Sequence, residues 1–137
     1  AVSATSAPPL IAPEDWRSTA FSATQLADGT GDWLADPDGD EKSNLTEFGE
    51  GTNPLLAEPT AHPQVVVAAD GTLEMTVSKQ PNVSLVYEVE VSDDLITWTG
   101  ADDVRIVTES AQRLVVRDTR VLTNLYRRFI RLTFKLP

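Results

Sequence analysis

From Gln64 onward the chain alternates apolar and polar residues in short runs broken by turn residues, and that pattern most constrains its fold. Val65-Val66-Val67 leads into Asp70-Gly71, a pair suited to a tight hairpin. Leu73, Met75 and Val77 then alternate with Glu74, Thr76 and Ser78, and Leu85, Tyr87, Val89 and Val91 alternate with Val86, Glu88, Glu90 and Ser92. Leu95 to Trp98 read as a short strand or a corner after the turn at Asp93-Asp94, further runs lie at residues 104–107 and 114–116, and Ile130, Leu132, Phe134 and Leu136 close the series. Period two puts one face of each run in a core and the other in water. Seven short strands with frequent turns predict a mainly β protein, an antiparallel sandwich of the immunoglobulin or fibronectin type over residues 64–137.

The first half reads differently. Asp36, Asp38, Asp40, Lys42, Asn44 and Glu47 stand at positions one, three, five, seven, nine and twelve of a loop. Ca²⁺ takes six to eight oxygens, and alternate residues of a tight loop can aim side-chain oxygens at one centre. Lys42 supplies its carbonyl, and Glu47 the bidentate carboxylate that closes the shell. Glu41 occupies position six, where Gly normally permits φ > 0, so a strained backbone is expected there. The plainer alternative is an acidic surface turn, since Pro, Gly and Asp are ordinary turn residues.

Around the loop a helix is expected from Pro13 to about Ala27, with Pro at its start and Glu14 and Asp15 at the positive end of the dipole. A short helix from Ser43 to Phe48 is expected to stop at Gly49 and Gly51. Trp16, Phe21, Leu26, Trp33, Leu45 and Phe48 supply a small apolar interior, too small for firm independence, so this unit should dock on the rest or depend on calcium. Residues 1–13 read as an extended arm held out of helix by Pro8-Pro9; it is either a flexible leader or a strand that docks on another subunit. Residues 14–63 form the calcium unit with its Pro-rich linker.

Composition sharpens the division. The net charge is −10, yet residues 1–63 hold eleven acids against two bases while residues 64–137 hold ten against nine. Such an acidic chain is a poor partner for nucleic acid. It has no Cys and no apolar run near the roughly 18 residues a transmembrane helix needs. Ala1 in place of Met fits a mature chain freed of a signal peptide, and millimolar calcium outside cells would keep a weak site filled, so an extracellular location is expected.

The run DPDGDEKSNLTEFGEGTNPL, beginning at Asp36, resembles the DPDGDGxSNxxEY…GTxP signature of thrombospondin type-3-like and dockerin-like calcium modules, frequent near the C-termini of secreted bacterial proteins. The resemblance implies that Asp36, Asp38, Asp40, Asn44 and Glu47 bind Ca²⁺ together with the Lys42 carbonyl. YEVEVSDDLITW, VVRDT and RRFIRLTF resemble the sandwich that follows such loops in large exported proteins. The resemblance implies a structural or adhesive role and no catalytic activity.

Catalytic chemistry finds little purchase. The single His62 lies in the linker without a nucleophile motif, and zinc lacks His and Cys ligands. Glu88 and Glu90 alternate to one face as ordinary strand polarity, so no enzyme is expected. Tyr87, Trp98 and Tyr126 form either a sugar-stacking platform or part of the core, and the alternation of Tyr87 with Val89 favours the core. Arg113, Arg117, Arg120, Arg127, Arg128 and Arg131, set against the acidic first half, invite head-to-tail contact between copies. The expected function is a calcium-stabilised extracellular structural protein, a homo-oligomer assembling into a fibre or surface layer. The alternative is a carbohydrate-binding or cell-surface anchoring module of a larger secreted protein, with glycans as partners.

Overall fold

A computed structural model describes residues 10–58, 63–123 and 127–137, and the expectations for most of the arm, His62 and Tyr126 lie outside them. The chain is mainly β, and among the described residues three short helices, α1 (Pro13–Ala20), α2 (Ala23–Ala27) and α3 (Asn44–Glu50), lie ahead of the strands. Six strands follow: β1 (Gln64–Val67), β2 (Thr72–Ser78), β3 (Val86–Ser92), β4 (Val104–Glu109), β5 (Arg113–Val121) and β6 (Phe129–Lys135). They form two antiparallel sheets, β1-β2-β5-β4 and β3-β6.

The alternation read from the sequence places the core. Met75 and Val77 of β2, Val89 of β3, and Leu114 and Val116 of β5 are buried in one cluster, with Tyr87, Val104, Ile130 and Leu132 packed against it. Both sheets therefore contribute to one apolar interior. The Asp70-Gly71 hairpin forms as expected: Gly71 takes φ 83°, and Asp70 Oδ1 accepts from the Thr72 amide at 3.1 Å and its hydroxyl at 2.6 Å. Glu88 and Glu90 face Lys135 at 3.0 Å and Arg131 at 3.1 Å across the β3–β6 ladder.

Three expectations need correction. Residues 95–98 are a turn, so the described strands number six rather than seven. Asp94 Oδ1 accepts from the amides of Ile96 and Thr97 at 2.8 Å each, and Leu95 takes φ 64°, so these amides are lost to any ladder. The first helix is two helices. Ser22 breaks it by starting α2 with a capping box: its hydroxyl accepts from the Gln25 amide, and the Gln25 side chain accepts from the Ser22 amide. Gly49 lies inside α3, which ends on Gly51 at φ 80°.

The basic last quarter is largely satisfied within the chain. Arg128 donates through Nε to Asp118 Oδ2 at 2.7 Å and through a terminal nitrogen to Oδ1 at 2.8 Å, and both side chains are buried. Arg117 meets Glu74 at 2.6 Å, and Arg120 lies 3.7 Å from Asp93. These pairs leave less positive charge for a neighbouring copy than the sequence alone suggested. Among the described residues no helix is long and apolar enough to cross a membrane.

Candidate metal centre

An aromatic cluster holds the acidic loop in place. Trp16 of α1 stacks on Trp33 with ring centres 5.8 Å apart, and Phe48 of α3 lies 5.1 Å from Trp16 and 5.6 Å from Trp33. Phe21 meets Trp16 edge-on, and the Arg17 guanidinium covers Trp33 while its Nε donates to the Gly31 carbonyl at 2.8 Å. The ends of the loop are tied together by two backbone bonds, from Asn44 N–H to the Ala35 carbonyl and from Leu45 N–H to the Trp33 carbonyl. Short helices of this kind rely on tertiary packing rather than on propensity.

Within that frame the loop curls on its own carboxylates. Asp36 accepts from the Gly39 and Glu41 amides, Asp38 from the Asp40 amide, and Asp40 from the Lys42 amide. One oxygen from each of Asp36, Asp38 and Asp40 falls within 4.8 Å of the other two. Three carboxylates so close repel one another unless a proton or a cation stands between them. Glu41 takes φ 71°, the left-handed conformation expected of position six. Glu41→Gly should therefore stabilise the protein by up to about 1 kcal/mol, read as an upward shift in melting temperature.

Glu47 and Asn44 complete the arrangement from α3. The Asn44 side chain is buried and donates through Nδ2 to the Thr30 and Asp32 carbonyls at 2.8 and 2.7 Å. Among the described residues its Oδ1 has no donor, and neither has either oxygen of Glu47, although Glu47 is only 1% exposed. One oxygen each of Asp38 and Asp40 is likewise buried without a donor. Buried acceptors left without donors each cost about 1–3 kcal/mol, and more when charged. Five oxygens in this condition lie on Asp38, Asp40, Asn44 and Glu47, in the loop and the helix after it, and are of the kind a hard cation takes as ligands.

Protonation behaviour follows from the same crowding. Without a cation, burial first and then the nearby Asp40 and Asp38 push the Glu47 carboxyl up to about 8, against the pull of Lys42. Burial also raises Asp38, reinforced by its contact with Asp36. For Asp40 burial is the largest influence and pushes upward, but the Lys42 amide and its carboxyl neighbours outweigh it and hold the group below its ordinary value. Glu47, raised, therefore keeps its proton more readily than the neighbouring Asp40, which is held low.

All six residues expected from the sequence therefore belong to one loop and the helix after it. The spacing said nothing of the Lys42 side chain. That side chain is buried and pairs with Glu50 of α3 at 3.0 Å. Gly49 was also read differently: its carbonyl accepts from the Tyr87 hydroxyl at 2.5 Å and from the Gln80 amide at 2.8 Å, so α3 is bound to the β sheets by the residue expected to end it. Burial pushes the Tyr87 hydroxyl up to about 12, which keeps it a donor across the physiological range. Tyr87 is thus a junction residue, its ring 5.3 Å from Phe134, and Trp98 is covered by the Arg131 guanidinium at 4.1 Å. Comparison with family models, curated proteins and solved structures returned no match to this chain.

Proposed function

We propose that the chain binds one Ca²⁺ in the loop from Asp36 to Glu47 and serves as a calcium-stabilised structural module of the extracellular space. The observation that carries this reading is the Glu47 carboxylate, 1% exposed, with no donor to either oxygen among the described residues, and set beside the carboxylates of Asp40 and Asp38. Asp36, Asp38, Asp40, Asn44 and Glu47 would hold the ion through side chains and Lys42 through its carbonyl. The bound ion supplies charge neutralisation and a fixed centre for the loop, and no chemical step is assigned to it. Because α3 carries both Glu47 and Gly49, an ion that orders this helix also secures the first half of the chain against the strands.

The sequence likeness of the loop to thrombospondin type-3-like modules supports placement outside cells, where calcium is millimolar. Self-association into a fibre or surface layer belongs to the same reading, supported by exposed strand edges more than by the arginines, most of which pair internally. An anchoring module of a larger exported protein would use the same ion and the same sheets. Sugar stacking has less support, since Tyr87 is turned into the junction and Trp98 is capped.

Calorimetric titration tests the reading. The expected result is uptake of one ion with a dissociation constant in the range of about 0.1–1 mM, weakened at least tenfold in Asp38→Ala and in Glu47→Ala. Absence of heat and of any melting shift at about 10 mM calcium, well above that range, would remove the basis for it.

A further inference from the structure

β1 lies at the edge of the four-stranded sheet, and its three valines are 44%, 53% and 60% exposed. Edge strands usually carry charges, prolines or bulges that discourage pairing with another chain. The opposite edge, β4, has Arg105, Glu109 and a register shift between Ile106 and Thr108. β1 has none of these: the stretch Gln64-Val65-Val66-Val67-Ala68-Ala69 contains no ionisable side chain, in a chain of net charge −10. The net charge sits in residues 1–63, whereas residues 64–137 hold ten acids against nine bases, so no net charge opposes the approach of two copies along this edge.

The backbone directions are fixed by the hairpin. The Ala68 amide donates to the Thr72 carbonyl at 2.8 Å, so residue 68 faces β2. Backbone groups alternate along a strand, so Gln64 and Val66 also face β2, whereas Val65 and Val67 point their N–H and C=O groups outward. Side chains alternate too. Val65 pairs with the buried Met75 and lies on the core side of the sheet, while Val66 pairs with Glu74 and lies on the outer side.

We infer that β1 is a self-pairing edge, joining two copies antiparallel about a two-fold axis through Val66. An antiparallel two-fold pairing must keep both sheets on the same face, so opposed residues sum to an even number. Centring on Val66 sets Val65 against the partner's Val67, and the outward groups then make four backbone hydrogen bonds between copies. Gln64 falls against the partner's Ala68, and the two Val66 side chains meet in the close, non-hydrogen-bonded position. The partner is a second copy because the edge is complementary to itself, with neither charge to repel nor charge to prefer another surface. A four-residue edge covers less than a permanent dimer requires, so the dimer is reversible, with a dissociation constant on the order of 100 µM.

The proposed calcium site plays no part in this contact, so the experiment is run in calcium and in chelator, and failure of one proposal leaves the other standing. Sedimentation equilibrium should show the average mass of the intact chain rising toward twice that of the monomer at high concentration in both. Val67→Pro removes only an outward N–H and should hold the chain monomeric with unchanged circular dichroism. The register has its own test in a chain without Cys. In Val66→Cys the two sulfurs face each other across a pair about 4.5 Å apart at Cα, within disulfide range, and mild oxidation should yield covalent dimer. In Val65→Cys the sulfurs sit about 8 Å apart at Cα and should cross-link at least tenfold more slowly. A wild-type chain that stays monomeric near 1 mM, ten times the expected constant, would overturn the inference. So would equal cross-linking of the two cysteine variants.

Discussion

Gly49→Val is expected to destabilise the protein by about 3 kcal/mol, at the upper end of core overpacking. That corresponds to a melting temperature roughly 10 °C lower for a domain of this size. A Cβ built on Gly49 would lie 2.3 Å from Phe134 Cε1, 2.7 Å from Cδ1 and 3.0 Å from Cζ, so the added atoms meet the ring itself. Phe134 cannot simply turn aside, because Tyr87 packs edge-on against it and anchors its hydroxyl on the Gly49 carbonyl. Valine is no worse in a helix than glycine by intrinsic propensity, so loss of stability would report packing and not helix formation. The double variant with Phe134→Ala separates the two causes. If the ring is the obstacle, the cost of Gly49→Val falls by more than about 1 kcal/mol when the ring is absent. An equal cost in both backgrounds would show that the α3–β6 contact does not matter. Because Glu47 shares α3, calcium affinity should fall in the single variant as well.

Gly49 also shows where sequence reading reaches and where it stops. The clustering of Asp36, Asp38 and Asp40 was legible because these residues are neighbours in the chain, and alternate positions of a tight turn bring their oxygens together. The hairpin at Asp70-Gly71 and the buried faces of β2, β3 and β5 were legible because their signals are also local. Gly49, by contrast, is required by Phe134, far along the chain, and within its own neighbourhood it reads only as a helix stop. Residues 95–98 look like a strand by hydrophobicity, and the side chain of Asp94 decides otherwise by capturing two amides. Ser22 and Gln25 form a capping box that was visible in the sequence, but the regular spacing of Trp16, Ala20, Ala23 and Ala27 suggested one continuous helix. The buried pairs Lys42–Glu50 and Asp118–Arg128 were out of reach, since a charged residue next to a strand or in a loop ordinarily reads as solvated. Removing one partner of such a pair leaves an uncompensated buried charge, so both pairs specify the fold even where their net contribution is small.

The calcium effect on stability is expected to grow steeply between pH 5 and pH 8, and the sign follows from Glu47. In the cation-free protein its carboxyl is raised from 4.5 to about 8. A group whose folded value lies above its unfolded value binds more protons when folded, so its contribution is complete below the unfolded value. That contribution is lost as pH rises through the folded one. Asp38, also raised, acts in the same direction, and Asp40, held low, acts against it. The cation-free protein should therefore lose a few kcal/mol on raising the pH from about 5 to about 8. In the proposed site calcium would take the place of that proton, and the loss would be offset. The gap in melting temperature between calcium and chelator should be near zero at pH 5 and widest near pH 8. At calcium about a hundredfold above the dissociation constant it corresponds to about 2.7 kcal/mol. Binding near pH 7 should release close to one proton, read from the buffer dependence of the calorimetric heat. Glu47→Gln, which keeps the shape of the protonated carboxyl, should flatten the cation-free pH curve and remove most of the calcium gap. A gap of the same size at pH 5.5 and pH 8, with no proton released, would show that Glu47 does not hold the ion.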